Sequence, residues 1–122
     1  LIVPGGYGAE EIEIHNQTVL DWIQNQSQKV NILASVCTGA FLLAKAGLLD
    51  GKKATTHWMD INRLENEFPS IEVIRDSKYV DENSIITSGG ISAGITMSLK
   101  IVERLLGAEI ARYTAKRMEY EF

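Results

Sequence analysis

Apolar residues fall along this chain in short runs that stop at glycine, cysteine or histidine, and most are followed by a stretch with helical spacing. Leu1–Val3 reads as a buried strand that runs into the glycine-rich loop Pro4-Gly5-Gly6-Tyr7-Gly8. Val30–Val36 reads as a second strand and ends on Cys37. Lys53–Thr56 reads as a third, ending at His57-Trp58, and Ile71–Arg75 as a fourth. Lys78–Val80 and Ser84–Thr87 flank Asp81-Glu82-Asn83 as a hairpin, which leads into the turn Ser88-Gly89-Gly90. Between these runs the spacing is helical. Asn16 is placed to cap a helix to about Gln26, with Val19, Leu20, Trp22 and Ile23 as its apolar face. The stretch after Cys37 is apolar on nearly every side, which is the pattern of a buried helix, and Gly47 is its stop. Asp60–Phe68 reads as an amphipathic helix ended by Pro69. After the glycine-rich turn Ser88–Gly94 a helix runs to about Leu106, with Ile95, Leu99, Val102 and Leu106 expected on its core face. Gly107 ends it, and a last helix covers Ala108 to about Met118. Strands alternating with helices predict an α/β sandwich around a mostly parallel sheet.

Composition narrows the partners. The chain has 122 residues, which suits one domain, and 45% are hydrophobic, enough for a core. Its net charge is −4 and it has no basic stripe, so no nucleic-acid binding is expected of it. No apolar run is long enough to cross a membrane. A single cysteine excludes an internal disulfide and a cysteine-based zinc site, and it fits a reducing, cytoplasmic setting. Leu1 is neither an initiator Met nor the start of a signal peptide, so the first strand reads as cut at its beginning.

The chemistry sits at the strand ends. Cys37 is expected on a sharp strand-to-helix turn, where backbone amides and the helix dipole favour a thiolate over a thiol. That is the arrangement of a nucleophile elbow, with Cys in place of Ser and Gly39 leaving room for the turn. The alternative is a buried cysteine acting as a small hydrophobe. Gly5-Gly6, Cys37, His57 and Ser88-Gly89-Gly90 each follow a strand directly. If those strands are parallel neighbours, the four segments share one rim of the sheet, where open α/β sheets bind ligands. The rim then offers a thiolate, a candidate base in His57, and loops whose N–H groups could hold an oxyanion. For His57 the alternative is a structural histidine that fixes its strand end.

Pro4–Gly8, Ala34-Ser35-Val36-Cys37-Thr38-Gly39-Ala40-Phe41-Leu42-Leu43-Ala44, Ala46–Gly51, Ala54-Thr55-Thr56-His57-Trp58 and Thr87–Gly94 together resemble the ThiJ/PfpI superfamily, a branch of the class I glutamine-amidotransferase-like folds. The resemblance covers essentially the whole chain. It is greatest to isonitrile hydratases and to the sensor domains of AraC-type regulators, which share Thr after the cysteine. The protease-like branch has His there, so Thr38 argues against it. The resemblance implies a flavodoxin-like three-layer sandwich with a cysteine nucleophile elbow. It implies Cys37 as the nucleophile and Thr38 as a donor to the reaction centre. Gly5, Gly6, Gly89 and Gly90 would line the oxyanion or ligand pocket, with His57 near the cysteine. It also implies a small-molecule substrate and a homodimer, with no cofactor or metal. Members of the superfamily carry an acidic residue on an upstream strand, hydrogen-bonded to the cysteine. This sequence begins after that point, so the N-terminal strands of the fold are expected to be missing. Glu10, Glu11 and Glu13 are the nearest acids to the first glycine loop, and they read more simply as a solvated helix entrance. Relatives also often have Asp where Thr96 stands, and the chain's ending resembles that of stand-alone members.

Three function classes remain open, in this order. The first is a cysteine-dependent small-molecule hydrolase or hydratase, isonitrile hydratase-like. The second is a ligand or redox sensor without turnover. The third is a chaperone-like dimer.

Overall fold

The computed structural model describes all of residues 1–122. Its main sheet has four strands in the order β1 (Ile2–Val3), β2 (Leu33–Val36), β6 (Ile85–Ser88), β5 (Tyr79–Asp81). β1, β2 and β6 run parallel, and β5 joins β6 as an antiparallel hairpin. Asn83 closes that hairpin at φ 76°, and its N–H donates to Asp81 Oδ1 at 2.7 Å. The strand that precedes His57 does not enter this sheet. β3 (Lys53–Ala54) pairs in parallel with β4 (Glu72–Val73) in a separate two-stranded sheet. The premise that all four strand ends are neighbours in one sheet therefore fails for His57, which reaches the rim from the second sheet.

Side-chain alternation along β2 divides the core between two faces. Leu33 points into the larger cluster with Val3, Phe41, Leu43, Leu49 and Leu64, while Ala34 points into a smaller one with Ile86 and Met97. Helices α1 (Gln17–Ser27), α2 (Gly39–Lys45) and α3 (Ile61–Glu67) contribute to the first cluster, and α4 (Ser92–Leu106) covers the second. α5 (Ala108–Arg117) packs on α4. Helices on both faces of a mostly parallel sheet make the three-layer arrangement the alternation predicts. α2 is buried through Ala44, as its all-apolar sequence requires.

Asn16 caps α1, its Oδ1 accepting from Thr18 N and Val19 N at 3.1 and 3.4 Å. The strands are shorter than their apolar runs, since a run records burial and pairing decides strand limits. Two helical faces also differ from expectation. Trp22 is 52% exposed although it shares the apolar side of α1. On α4 the residues turned to the sheet are Gly94, Met97 and, partly, Ile101, whereas Leu106 is 61% exposed. Of the expected stripe, Leu99 is buried and Val102 half-buried, whereas Ile95 and Leu106 are exposed; α4 packs on α5 as well as on the sheet, so its buried side is not a single stripe. The first glycine loop is followed by two unforeseen helical turns, a π-turn at Gly8–Ile12 and a 3₁₀ turn at Glu13–His15.

Candidate active site

Cys37 lies between β2 and α2 with φ 56°, a left-handed conformation that a non-glycine residue rarely adopts. The turn is forced by its neighbours. β2 ends beside β6, with Val36 opposite Ser88, so the Cys37 N–H bonds the carbonyls of Ser88 and Gly89 at 3.1 and 3.2 Å. Thr56 Oγ1 donates to the Cys37 carbonyl at 2.8 Å. Thr38 then opens α2 at its N-cap position. The strained backbone and the helix start are therefore both present, as an elbow demands. The cysteine is a free, half-buried thiol.

The first glycine loop folds over the start of α2. Gly6 N donates to Thr38 Oγ1 at 2.8 Å. A methyl on Gly5 would lie 2.6 Å from Thr38 N, so only glycine lets the loop come this close. Gly39 is tighter still, since its methyl would collide with the Val3 carbonyl. The Gly6 amide is thus engaged in orienting Thr38. The Thr38 hydroxyl accepts from Gly6 and keeps its own proton for another acceptor, while the Thr38 N–H has no acceptor within the protein.

His57 stands over the second glycine turn. A methyl on Gly90 would strike its ring at Cδ2, so Gly90 makes room for the imidazole. His57 Nδ1 accepts from Met59 N at 3.2 Å and lies 3.9 Å from Asp60 Oδ2. Because Nδ1 accepts there, the neutral ring carries its proton on Nε2. Gly89 N donates to the Lys78 carbonyl at 2.9 Å, which ties this turn to the approach of β5. Beside it opens a cavity of about 310 Å³ bordered by Thr56, Trp58, Asp76, Lys78, Gly89 and Gly90.

The structure therefore brings Gly5, Gly6, Cys37 and Thr38 into one cluster and joins Gly89, Gly90 and His57 to it through the Cys37 amide and Thr56. Thr56 is a site residue that its local sequence does not announce. Its only signal was its place within Thr55-Thr56-His57. The three early glutamates have other partners than the thiol. Glu10 and Glu11 face Arg63 at 3.3 and 3.6 Å, and Glu13 accepts from Asn16 Nδ2 at 2.9 Å. That Arg63 guanidinium also sits over the Phe41 ring, 4.2 Å from its centroid. Thr96 Oγ1 hydrogen-bonds the Tyr120 hydroxyl at 2.7 Å and so ties the C-terminal segment to α4. No group of three or more His, Cys, Asp or Glu side chains is gathered as a metal site, and no helix is long and apolar enough to cross a membrane.

Comparisons with known proteins agree with this geometry. An isonitrile hydratase from Pseudomonas putida is 37% identical over 121 residues, covering 98% of this chain and 51% of the relative. The HTH-type transcriptional regulator GbdR of Pseudomonas aeruginosa is 31% identical over 121 residues, covering 99% of this chain but 32% of the regulator. A crystal structure of a ThiJ/PfpI family protein from Pseudomonas syringae superposes with a TM-score of 0.88 at 29% identity, covering 100% of this chain and 49% of that one. The chain thus spans about half, or less, of the length of these relatives. Residues 1–104 match the DJ-1/PfpI family, and with the sheet order, the cysteine turn and these relatives in agreement, the chain belongs to that family.

Proposed function

We propose that this chain carries the nucleophile of a cysteine-dependent small-molecule hydrolase or hydratase, and that its substrates include isonitriles. The observation that supports this best is the lone cysteine held at φ 56° between β2 and α2, with Thr38 beside it. The likeness to an isonitrile hydratase over 98% of the chain supports the substrate class. The Cys37 sulfur adds to the terminal isonitrile carbon, and its proton passes to that carbon, giving a thioimidate. Water then adds to the same carbon and the thiolate leaves with its electron pair. The product is an N-substituted formamide, and the proton from water restores the thiol. Thr38 donates from its hydroxyl and its N–H to the charge that develops on nitrogen and oxygen. His57 Nε2–H is a second donor, and the Gly5-Gly6 and Gly89-Gly90 loops shape the walls.

A ligand- or redox-sensing role is the second reading, and the likeness to GbdR favours it. The setting in both is a reducing cytoplasm, and the protein acts as a homodimer. Exposed apolar side chains on α4 and α5, Leu105, Leu106, Ile110 and Tyr113 among them, support the pairing. The test screens the full protein against isonitriles, amides and reactive aldehydes and measures iodoacetamide labelling of Cys37. The enzyme reading expects formamide release that Cys37→Ser abolishes, because a hydroxyl is a far weaker nucleophile than a thiol at neutral pH. A sensor labels fast without turnover. A thiol that labels no faster than free cysteine, with no turnover, overturns both.

A further inference from the structure

Resting on the reading of Cys37 as a nucleophile, we propose that Thr56 is a positioning residue for it: the Thr56 hydroxyl holds the Cys37 carbonyl and so fixes the turn that presents the thiol. A residue at φ 56° stays there only when its surroundings over-determine it. On the N–H side that work is shared by the carbonyls of Ser88 and Gly89. On the carbonyl side Thr56 Oγ1 is the close partner at 2.8 Å, while Ala40 N, at 3.4 Å, is at the weak end of the range. The hydroxyl donates to an acceptor that a peptide flip at Cys37–Thr38 would carry away. Breaking it frees the elbow at the one peptide that joins the nucleophile to α2.

The brace is itself anchored. Thr55 N donates to Thr87 Oγ1 at 2.9 Å, which ties the segment to β6. Thr55 Oγ1 donates to the Ile74 carbonyl at 2.9 Å, just past β4. His57 then packs its ring on Gly90. Three consecutive residues of the second sheet's exit are thus fastened on three sides, and Thr56 is the one that touches the elbow. At 2% exposure it is shielded from water that could take over its bond. The two-stranded sheet that carries it lies outside the main sheet. In this arrangement it acts as a strut behind the site.

The test compares Thr56→Val, which keeps the shape and removes the donor, with Thr56→Ser, which keeps the donor. Three readouts are taken on the full protein: iodoacetamide labelling of Cys37, the backbone NMR shifts of Cys37 and Thr38, and kcat against KM with an isonitrile. Thr56→Val slows labelling and kcat by about tenfold to a hundredfold with KM little changed, since a small misplacement of a reacting group has that cost. The largest shift changes fall at Cys37 and Thr38. Thr56→Ser stays within about threefold of the parent protein, because its hydroxyl still donates. If Thr56→Val does not fold, Thr56→Ala against Thr56→Ser carries the same comparison. Labelling and shifts like the parent's in the variant without the hydroxyl, with only a lower melting temperature, overturn the proposal. Labelling needs no turnover, so absence of any substrate defeats the hydratase reading and leaves this test standing.

Discussion

The parallel strands β2 and β6 end side by side, and each leads into a helix through a turn that holds a non-glycine residue at positive φ. At the first turn the residue is Cys37, φ 56°, and at the second it is Ile91, φ 45°. Around Cys37 every backbone direction is fastened: the N–H by two carbonyls, the carbonyl by Thr56, and the following residue by the Gly5-Gly6 loop. Around Ile91 little is fastened. Its side chain is 83% exposed, and its carbonyl serves only the first turn of α4. Strain of this kind costs on the order of 1–3 kcal/mol wherever it sits. Packing at the Cys37 turn over-determines the conformation, whereas at Ile91 it barely opposes relaxation. The first is what a preorganised reacting group requires.

The sharpest way to break this comparison is to add one methyl to each turn. Gly39→Ala drives a Cβ into the Val3 carbonyl and to within 2.9 Å of the Pro4 carbonyl, both backbone atoms that cannot step aside. Overpacking against fixed backbone is expected to cost about 3 kcal/mol or more. Gly89→Ala meets Ala93 Cβ at 3.4 Å, Lys78 O at 3.7 Å and Thr56 O at 3.8 Å, ordinary contacts, and is expected to cost less than about 1 kcal/mol. Urea unfolding of both variants measures the contrast. Equal losses would mean that the two turns are equally tight.

These two turns also mark what was legible in the sequence. The elbow was, because a strand, one cysteine and a run of small and apolar residues fall in register within a dozen positions. The two-stranded sheet was not. β3 and β4 have two residues each and pair across α3, and such short runs carry no alternation that separates one sheet from two. Periodicity on α4 gave a stripe, but with apolar residues on several sides it could not say which of them faces the sheet. Arg63, which gathers Glu10, Glu11 and Asp60 over Phe41, joins residues some fifty positions apart. Nothing local in the sequence announces a cluster of that kind.

The next effect in size concerns what holds the brace behind the elbow. Thr87→Val leaves the buried Thr55 N–H without its acceptor, at a cost of about 1–3 kcal/mol. Cys37 labelling is expected to slow as well, because Thr55 anchors Thr56. A loss of stability with labelling untouched would detach the second sheet from the site.

Ile91→Gly relieves the strained turn without giving up packing, since the side chain is largely in solvent. Against the added freedom of glycine in the unfolded chain, a net gain of up to about 1 kcal/mol is expected. Labelling of Cys37 should not change. A clear loss of stability would mean that Ile91 is held by contacts in solution, such as a partner protomer over the apolar groove it shares with Val36, Ile95 and Met118.

The smallest effect is expected two residues before Cys37, where Ser35 on β2 lies opposite Thr87 on β6. Both side chains are fully buried, yet they fare differently. Thr87 Oγ1 accepts from Thr55 N, whereas Ser35 Oγ has no hydrogen-bond partner. A buried hydroxyl without a partner loses its bonds to water and gains none, so removing it should not cost what removing a paired one does. Ser35→Ala keeps the small volume of this buried position and deletes only the orphaned oxygen. Stability is expected to rise by about 0.5 kcal/mol, read as a higher urea midpoint at unchanged slope. A loss comparable to that of Thr87→Val would show that the Ser35 hydroxyl is satisfied in solution, and that the floor beneath the cysteine holds an ordered water.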